Sequence, residues 1–363
     1  MKQKYTIGFI ALVLTIVLAG CVHDYPSMTE DGEEGIDPTL VEVNTEVTLD
    51  LELVPLEIIT QQNARSGTTK AESTAQAEAG TAEAQTDYRR RFIIEAWREG
   101  KPESRQVTVM EDAEEENGDG KISLPIRLKL HALDYTLAVW TDYVKAGTTD
   151  DLYYDTKDLQ YIACTDPYTG STPYRDCLYG TTALDLRQYR DEWNTKVQVK
   201  VELVRPLAKY ELIATDVKDF LRKTKKQRTD GEAFTITFSY GFYLPTVFNV
   251  LSGKPADSRT GIAYTTPLTV PMDGQEECTI GTDFVFVNGE ESFVKLSMEI
   301  QDGDGNVISR TTGLEVPYRR GHLTTVRARF LTNEMQGGVD IDDEFEGDID
   351  FDLDGLLRSE ERR

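Results

Sequence analysis

Apolar residues return at every second position through most of this chain, and that period limits its fold more than its composition does. Val41, Val43, Thr45, Val47, Leu49, Leu51 and Leu53 share one parity, while glutamate, asparagine, threonine and aspartate hold the other from Glu42 to Glu52. Neighbouring side chains of a strand point to opposite faces, so the pattern is that of a half-buried strand. Ile122, Leu124, Ile126, Leu128 and Leu130 repeat it, followed by Tyr135, Leu137 and Val139. Val197, Val199, Val201 and Leu203 do so again, and further strands are expected at 92–97, 178–186, 234–238, 284–286, 294–300 and 324–330. Asn117-Gly118-Asp119-Gly120, Asn288-Gly289 and Asp302-Gly303-Asp304-Gly305 supply turns between them.

One short helix interrupts the strands. Thr215 or Asp216 caps it, Val217, Phe220 and Leu221 form its apolar side, and the basic run from Arg222 to Arg228 suits its C-terminal end. Many short strands with almost no helix predict an all-β chain of two β-sandwich domains. The expected parts are an export signal at 1–20, an acidic tether at 21–40 and domains at 41–194 and 195–338, with a tail at 339–363. The first domain carries an insert at 61–87, without one aromatic or large aliphatic residue, which reads as a mobile loop.

Charge narrows the function. The 363 residues include 39 basic and 64 acidic ones, a net charge of −25, which argues against a nucleic-acid partner because a phosphate backbone needs a basic face. Lys2 and Lys4, the apolar run from Ile7 to Leu18 and the small residues before Cys21 make the export signal. Leu18-Ala19-Gly20-Cys21 resembles the bacterial lipobox, in which the cysteine is acylated and becomes the new N-terminus. Asp24, Glu30, Asp31, Glu33, Glu34 and Asp37 follow, resembling the surface-export signals of Bacteroidota lipoproteins.

The sequence carries few of the groups that catalysis needs. The three histidines, His23, His131 and His322, lie apart in the sequence, and no nucleophile elbow, phosphate loop or zinc motif occurs. Neither an enzyme, a cofactor nor a metal site is expected. The stretch from Glu115 to Ile122 and that from Asp302 to Asn306 match calcium loops only in part and read as hairpin turns. Cys164 and Cys177 could close a disulfide in an oxidising compartment, leaving Cys278 odd, or all three could stay thiols; spacing leaves both open.

The end of the chain is the most informative stretch. Val339, Ile341, Phe345, Ile349, Phe351 and Leu353 hold odd positions, broken only by Asp343 and Gly347, and every even position from Asp340 to Asp352 is acidic. A strand with one oily and one charged face is expected there, and with no clear hairpin partner after it, the sequence points to pairing with another chain.

Together with the lipobox, three stretches carry a resemblance: 199–210 (Val-Lys-Val-Glu-Leu-Val-Arg-Pro-Leu-Ala-Lys-Tyr), 281–288 (Gly-Thr-Asp-Phe-Val-Phe-Val-Asn) and 316–327 (Val-Pro-Tyr-Arg-Arg-Gly-His-Leu-Thr-Thr-Val-Arg). The chain resembles the fimbrillin-type lipoproteins of Bacteroidota, which include pilus stalk, tip and anchor subunits. The resemblance implies two tandem transthyretin-like Greek-key β-sandwich domains, lipidation at Cys21 and a place on the outer-membrane surface. It also implies removal of the strand 41–59 by a protease cutting at Arg65, and refilling of the groove by a donor strand from the next subunit, here Val339 to Leu353. The implied partners are other pilus subunits, like or unlike, the outer membrane through the lipid, and a host protein or glycan. A second reading is an unassembled surface lipoprotein that binds glycan or host protein through Tyr153, Tyr154, Tyr161, Tyr168 and Tyr174. A third is a lipoprotein hydrolase with a carboxylate pair that the sequence does not single out.

Overall fold

The computed structural model of the chain describes residues 42–53, 57–58, 88–110, 121–189, 194–224, 234–269, 274–332, 334–336 and 350–352. Cys21, Arg65, Val339, Ile341, Phe345, Ile349 and Leu353 lie outside these residues, as do the acidic tether, the insert 61–87 and the turn 117–120.

The strands are β1 (Glu42–Leu53), β2 (Glu57–Ile58), β3 (Tyr88–Arg98), β4 (Lys101–Val109), β5 (Lys121–His131), β6 (Asp134–Lys145) and β7 (Tyr154–Asp155). Then follow β8 (Ile162–Cys164), β9 (Leu178–Asp185), β10 (Asn194–Leu203), β11 (Leu207–Ala214), β12 (Phe234–Gly241), β13 (Leu244–Asn249) and β14 (Lys254–Arg259). The last are β15 (Ala263–Leu268), β16 (Cys278–Phe286), β17 (Glu291–Gln301), β18 (Val307–Arg319), β19 (His322–Ala328), β20 (Glu334–Gln336) and β21 (Asp350–Asp352). One α-helix, α1 (Val217–Thr224), is present among the described residues. The chain is all-β, as its period requires.

Two sheets make the first sandwich, β10-β1-β5 and β4-β3-β6-β9. Alternation on β5 buries Ile122, Leu124, Ile126, Leu128 and Leu130 and exposes Lys121, Arg127 and Lys129. These buried residues meet Phe92, Ile94, Leu137 and Val139 of the facing sheet, with Val47, Val199, Val201 and Leu203 in the same cluster. Strand β3 is buried on both faces, because Ile93 and Trp97 turn away into a second, larger core.

That larger core belongs to both halves of the chain. It joins Ile93, Trp140, Tyr154 and Ile162 to Tyr210, Phe238, Phe248 and Phe286, lining β16-β11-β19-β2 and β15-β12-β17-β18-β20 as well. A fifth sheet, β14-β13-β8-β7, pairs Val247 and Phe248 with Ala163 and Ile162, so backbone hydrogen bonds cross from one half to the other. Trp140 lies 6.2 Å from Phe248, which stacks on Phe286 at 5.4 Å. Strand β10, which opens the second domain in the sequence reading, is hydrogen-bonded along β1 in the first sandwich, so no sheet boundary falls at 191–194. The apolar period of β10 is the same in either sheet, which is why pattern alone misplaces it.

A polar knot sits inside the shared core. The Arg175 guanidinium is 3.6 Å from Asp283, whose Oδ2 accepts from the hydroxyls of Tyr168 (2.8 Å) and Tyr240 (2.7 Å). Arg175 also donates to the Thr169 carbonyl at 2.8 Å and to the Cys164 sulfur at 3.4 Å, and lies 3.9 Å over the Tyr168 ring. Burial pushes the Asp283 carboxyl above its ordinary range, against the pull of Arg175. The Cys164–Cys177 disulfide is not formed: both are buried free thiols, raised by burial, and Cys278 is half-buried and pushed up to about 11.

Candidate functional site, a slot filled by the first strand

Strand β1 is the centre of its sheet. Ten of its residues, Asn44 to Leu53, pair in parallel with β10, and eleven, Glu42 to Glu52, pair antiparallel with β5. Val47 is fully buried, in register with Val197 on one side and Ile126 on the other. The sandwich places β1 there because β5 and β10 both need an alternating neighbour to complete the apolar wall facing β3 and β6. Without β1 the sheet would be two separated strands, each with an open ladder of backbone donors and acceptors along a groove floored by the core.

The chain then leaves the sheet. Glu57–Ile58 pair in parallel with His322 and Leu323 at the start of β19, on the edge away from β11. Further along the same β19, Thr325 to Arg327 pair in parallel with Asp350 to Asp352. The arm after β1 and the described tip of the C-terminal segment thus lie on one strand. The sequence leaves docking of this segment in cis or in trans open; its described residues, Phe351 among them, pair in cis over three positions.

Both long walls of the slot are cationic on the face away from the core. Lys121, Arg127 and Lys129 on β5 and Lys196 and Lys200 on β10 are exposed. Sequence reading missed these, although Lys121-Ile122-Ser123-Leu124-Pro125-Ile126-Arg127-Leu128-Lys129 carries the signal in its polar positions. The position of β10 is set by close contact with β9: Tyr179 and Val204 exchange backbone hydrogen bonds at 3.0 and 2.9 Å, and a Cβ on Gly180 would overlap the Glu202 carbonyl oxygen. Only glycine permits that approach.

The other residues singled out by sequence are placed elsewhere. His131 ends β5, and His322 opens β19, its Nδ1 2.7 Å from the Arg320 carbonyl. Among the described residues no group of three His, Cys, Asp or Glu is placed to hold a metal ion. Asp302 is spent on its own turn, accepting from the amides of Asp304 (3.1 Å) and Asn306 (2.8 Å). Of the five tyrosines, Tyr154 and Tyr168 are core residues, Tyr174 stacks on Tyr88 at 3.8 Å and Tyr153 lies 3.5 Å from the Thr172 hydroxyl. Tyr161 is half exposed and donates to Asp257 at 3.1 Å. Asp216 does not cap α1 with its side chain as drawn from sequence; its carboxylate accepts from the amides of Leu331 (3.2 Å) and Thr332 (2.8 Å).

A family model described as a family of unknown function, DUF6562, matches residues 38–360. The chain belongs to the DUF6562 family. No curated protein matches it. Among solved structures, this DUF6562 chain is similar to the fimbrial anchor protein Mfa2 from Porphyromonas gingivalis, at 13% identity and a TM-score of 0.34, over 74% of this chain and 82% of that one. It is also similar to a fimbrial assembly protein from Parabacteroides distasonis, at 14% identity and a TM-score of 0.33, over 79% and 91%.

Proposed function

We propose that the chain is a structural subunit or accessory component of a cell-surface pilus, held first by a lipid on Cys21 and assembled by β-strand exchange. The observation that carries the reading is the place of β1: a terminal strand, central in its sheet, paired on both sides and buried at Val47. Terminal strands are the ones that a single cut can release. Arg65 is the first basic residue after β1, so one cut there would separate both β1 and β2 from the rest of the chain. The slot left behind would be walled by β5 and β10 and floored by apolar side chains, an environment costly to leave open and specific for an alternating strand. Residues 339–353 have that alternation, interrupted at Asp343 and Gly347. The activity is adhesion and assembly, with no catalytic step. The glycan-binding reading draws less support, since four of its five tyrosines are taken up in packing.

Brief trypsin treatment of protein lacking residues 1–21 tests the reading. Polymer ladders that survive warm detergent, appearing with a cut at Arg65 and abolished by deletion of 339–353, are expected. A cleaved chain that stays monomeric contradicts it.

A further inference from the structure

The face of the slot that looks outward carries information of its own. The chain as a whole has 64 acidic and 39 basic residues, yet the exposed residues of β5 and β10 include five cations, Lys121, Arg127, Lys129, Lys196 and Lys200, against one carboxylate, Glu202. The register sets them beside acidic positions of β1. Glu46 lies between Lys196 and Arg127, Asp50 opposite Lys200, and Glu52 between Lys121 and the one wall carboxylate, Glu202. Opposite charges directly across a ladder are favourable and like charges are not, so the walls discriminate among strands that would fill the groove equally well with their apolar side.

Resting on the strand-exchange reading, we propose that these basic walls select the incoming strand by its charged face, and that the strand they select is residues 339–353 of a second copy of this chain. When the odd positions of that segment face the core, Asp343 and Gly347 among them, all seven even positions from Asp340 to Asp352 face outward as carboxylates. The first strand offers fewer over its length, Glu42, Glu46, Asp50 and Glu52, with Asn44 and Thr48 between them. The donor therefore matches the walls better than the strand it replaces, which gives the exchange a direction. It also gives the encounter a field: a groove lined by one sign of charge raises the arrival rate of the opposite sign by about 10–1,000-fold at low salt. Lysines on edge strands also discourage unwanted pairing. That role alone would not respond to the charge of the donor.

The test is the initial rate of ladder formation by the full chain cut at Arg65, read at about 20 mM and about 500 mM salt, where screening differs severalfold in range. The wild type is expected to assemble at least about tenfold faster at low salt. A variant with its seven even-position acids changed to Asn or Gln, which leaves the walls and the apolar register untouched, is expected to assemble about tenfold more slowly at low salt and to lose the salt response. Reversal of the walls by Lys121→Glu, Arg127→Glu, Lys196→Glu and Lys200→Glu should slow assembly likewise, and Lys at the even donor positions should restore it. Neutral donors that assemble at the wild-type rate with the wild-type salt response would overturn the inference while strand exchange stands. Absence of ladders from every variant and the wild type alike would overturn the strand-exchange reading and the inference with it.

Discussion

At the scale of single residues, the fold depends on charges taken out of water in pairs. Asp283 is fully buried, and its carboxylate gives Arg175, Tyr168 and Tyr240 their common partner. Asp283→Ala would leave the Arg175 guanidinium as an uncompensated buried cation, so a loss of about 3–5 kcal/mol is expected in urea unfolding. A loss below about 1 kcal/mol, the worth of an exposed pair, would contradict the account. In the first sandwich Arg91 bridges Asp142 at 2.6 Å and Asp151 at 2.8 Å. Burial alone would raise the Asp151 carboxyl, but the hydroxyl and amide of Thr156 and the Arg91 guanidinium outweigh it and hold it below its ordinary value. A carboxyl lowered in the fold stabilises above its unfolded pKa of about 3.9, and that contribution is lost as the pH falls through the folded value. Asp151→Asn should therefore cost more in the urea midpoint at pH 5 than at pH 3; an equal cost at both would remove Asp151 from the ledger of acid sensitivity.

At the scale of elements, the position of β10 decides whether the slot exists. Gly180 lets the β9 and β10 backbones touch, and a methyl there would meet the Glu202 carbonyl as well as Val201 and Leu203. Gly180→Ala is expected to cost about 1–3 kcal/mol by overpacking and to speed hydrogen exchange across β1, since β10 must shift away from it. Unchanged exchange in β1 would show that β10 is placed by something else. Most strands were legible from apolar residues recurring at every second position: β1, β5, β6, β9, β10, β12, β16, β17 and β19 all lie where that period puts them, though β6 and β16 are buried on both faces over much of their length. Strand β4, with a mostly polar run from Lys101 to Val109, has no such signal, and β7 and β8 are too short to show a period. Sheet membership was not legible at all, because Val199 and Val201 would alternate equally well in either sandwich. The five wall cations were missed for a related reason: polar positions of a strand look alike until the neighbour across the ladder is known.

At the scale of the whole molecule, the two halves share one apolar core from Trp140 through Phe248 to Phe286 and one sheet from β7 to β14, so they form a continuous body. Strand β19 takes Glu57–Ile58, the short strand that follows β1, near its start and Asp350–Asp352 further on, while β1 itself lies in the other sheet, between β10 and β5. The central claim is that β1 is filler that another copy can replace. Zero-length carbodiimide cross-linking, which joins a lysine amine directly to a carboxylate, tests it on a mixture of isotopically heavy and light chains cut at Arg65. Heavy-to-light links from Lys121, Lys129, Lys196 or Lys200 to carboxylates within 340–352 are predicted, together with loss of the fragment that ends at Arg65. Links from those lysines only to Glu46, Asp50 or Glu52 of the fragment, still bound after the cut, would contradict the account.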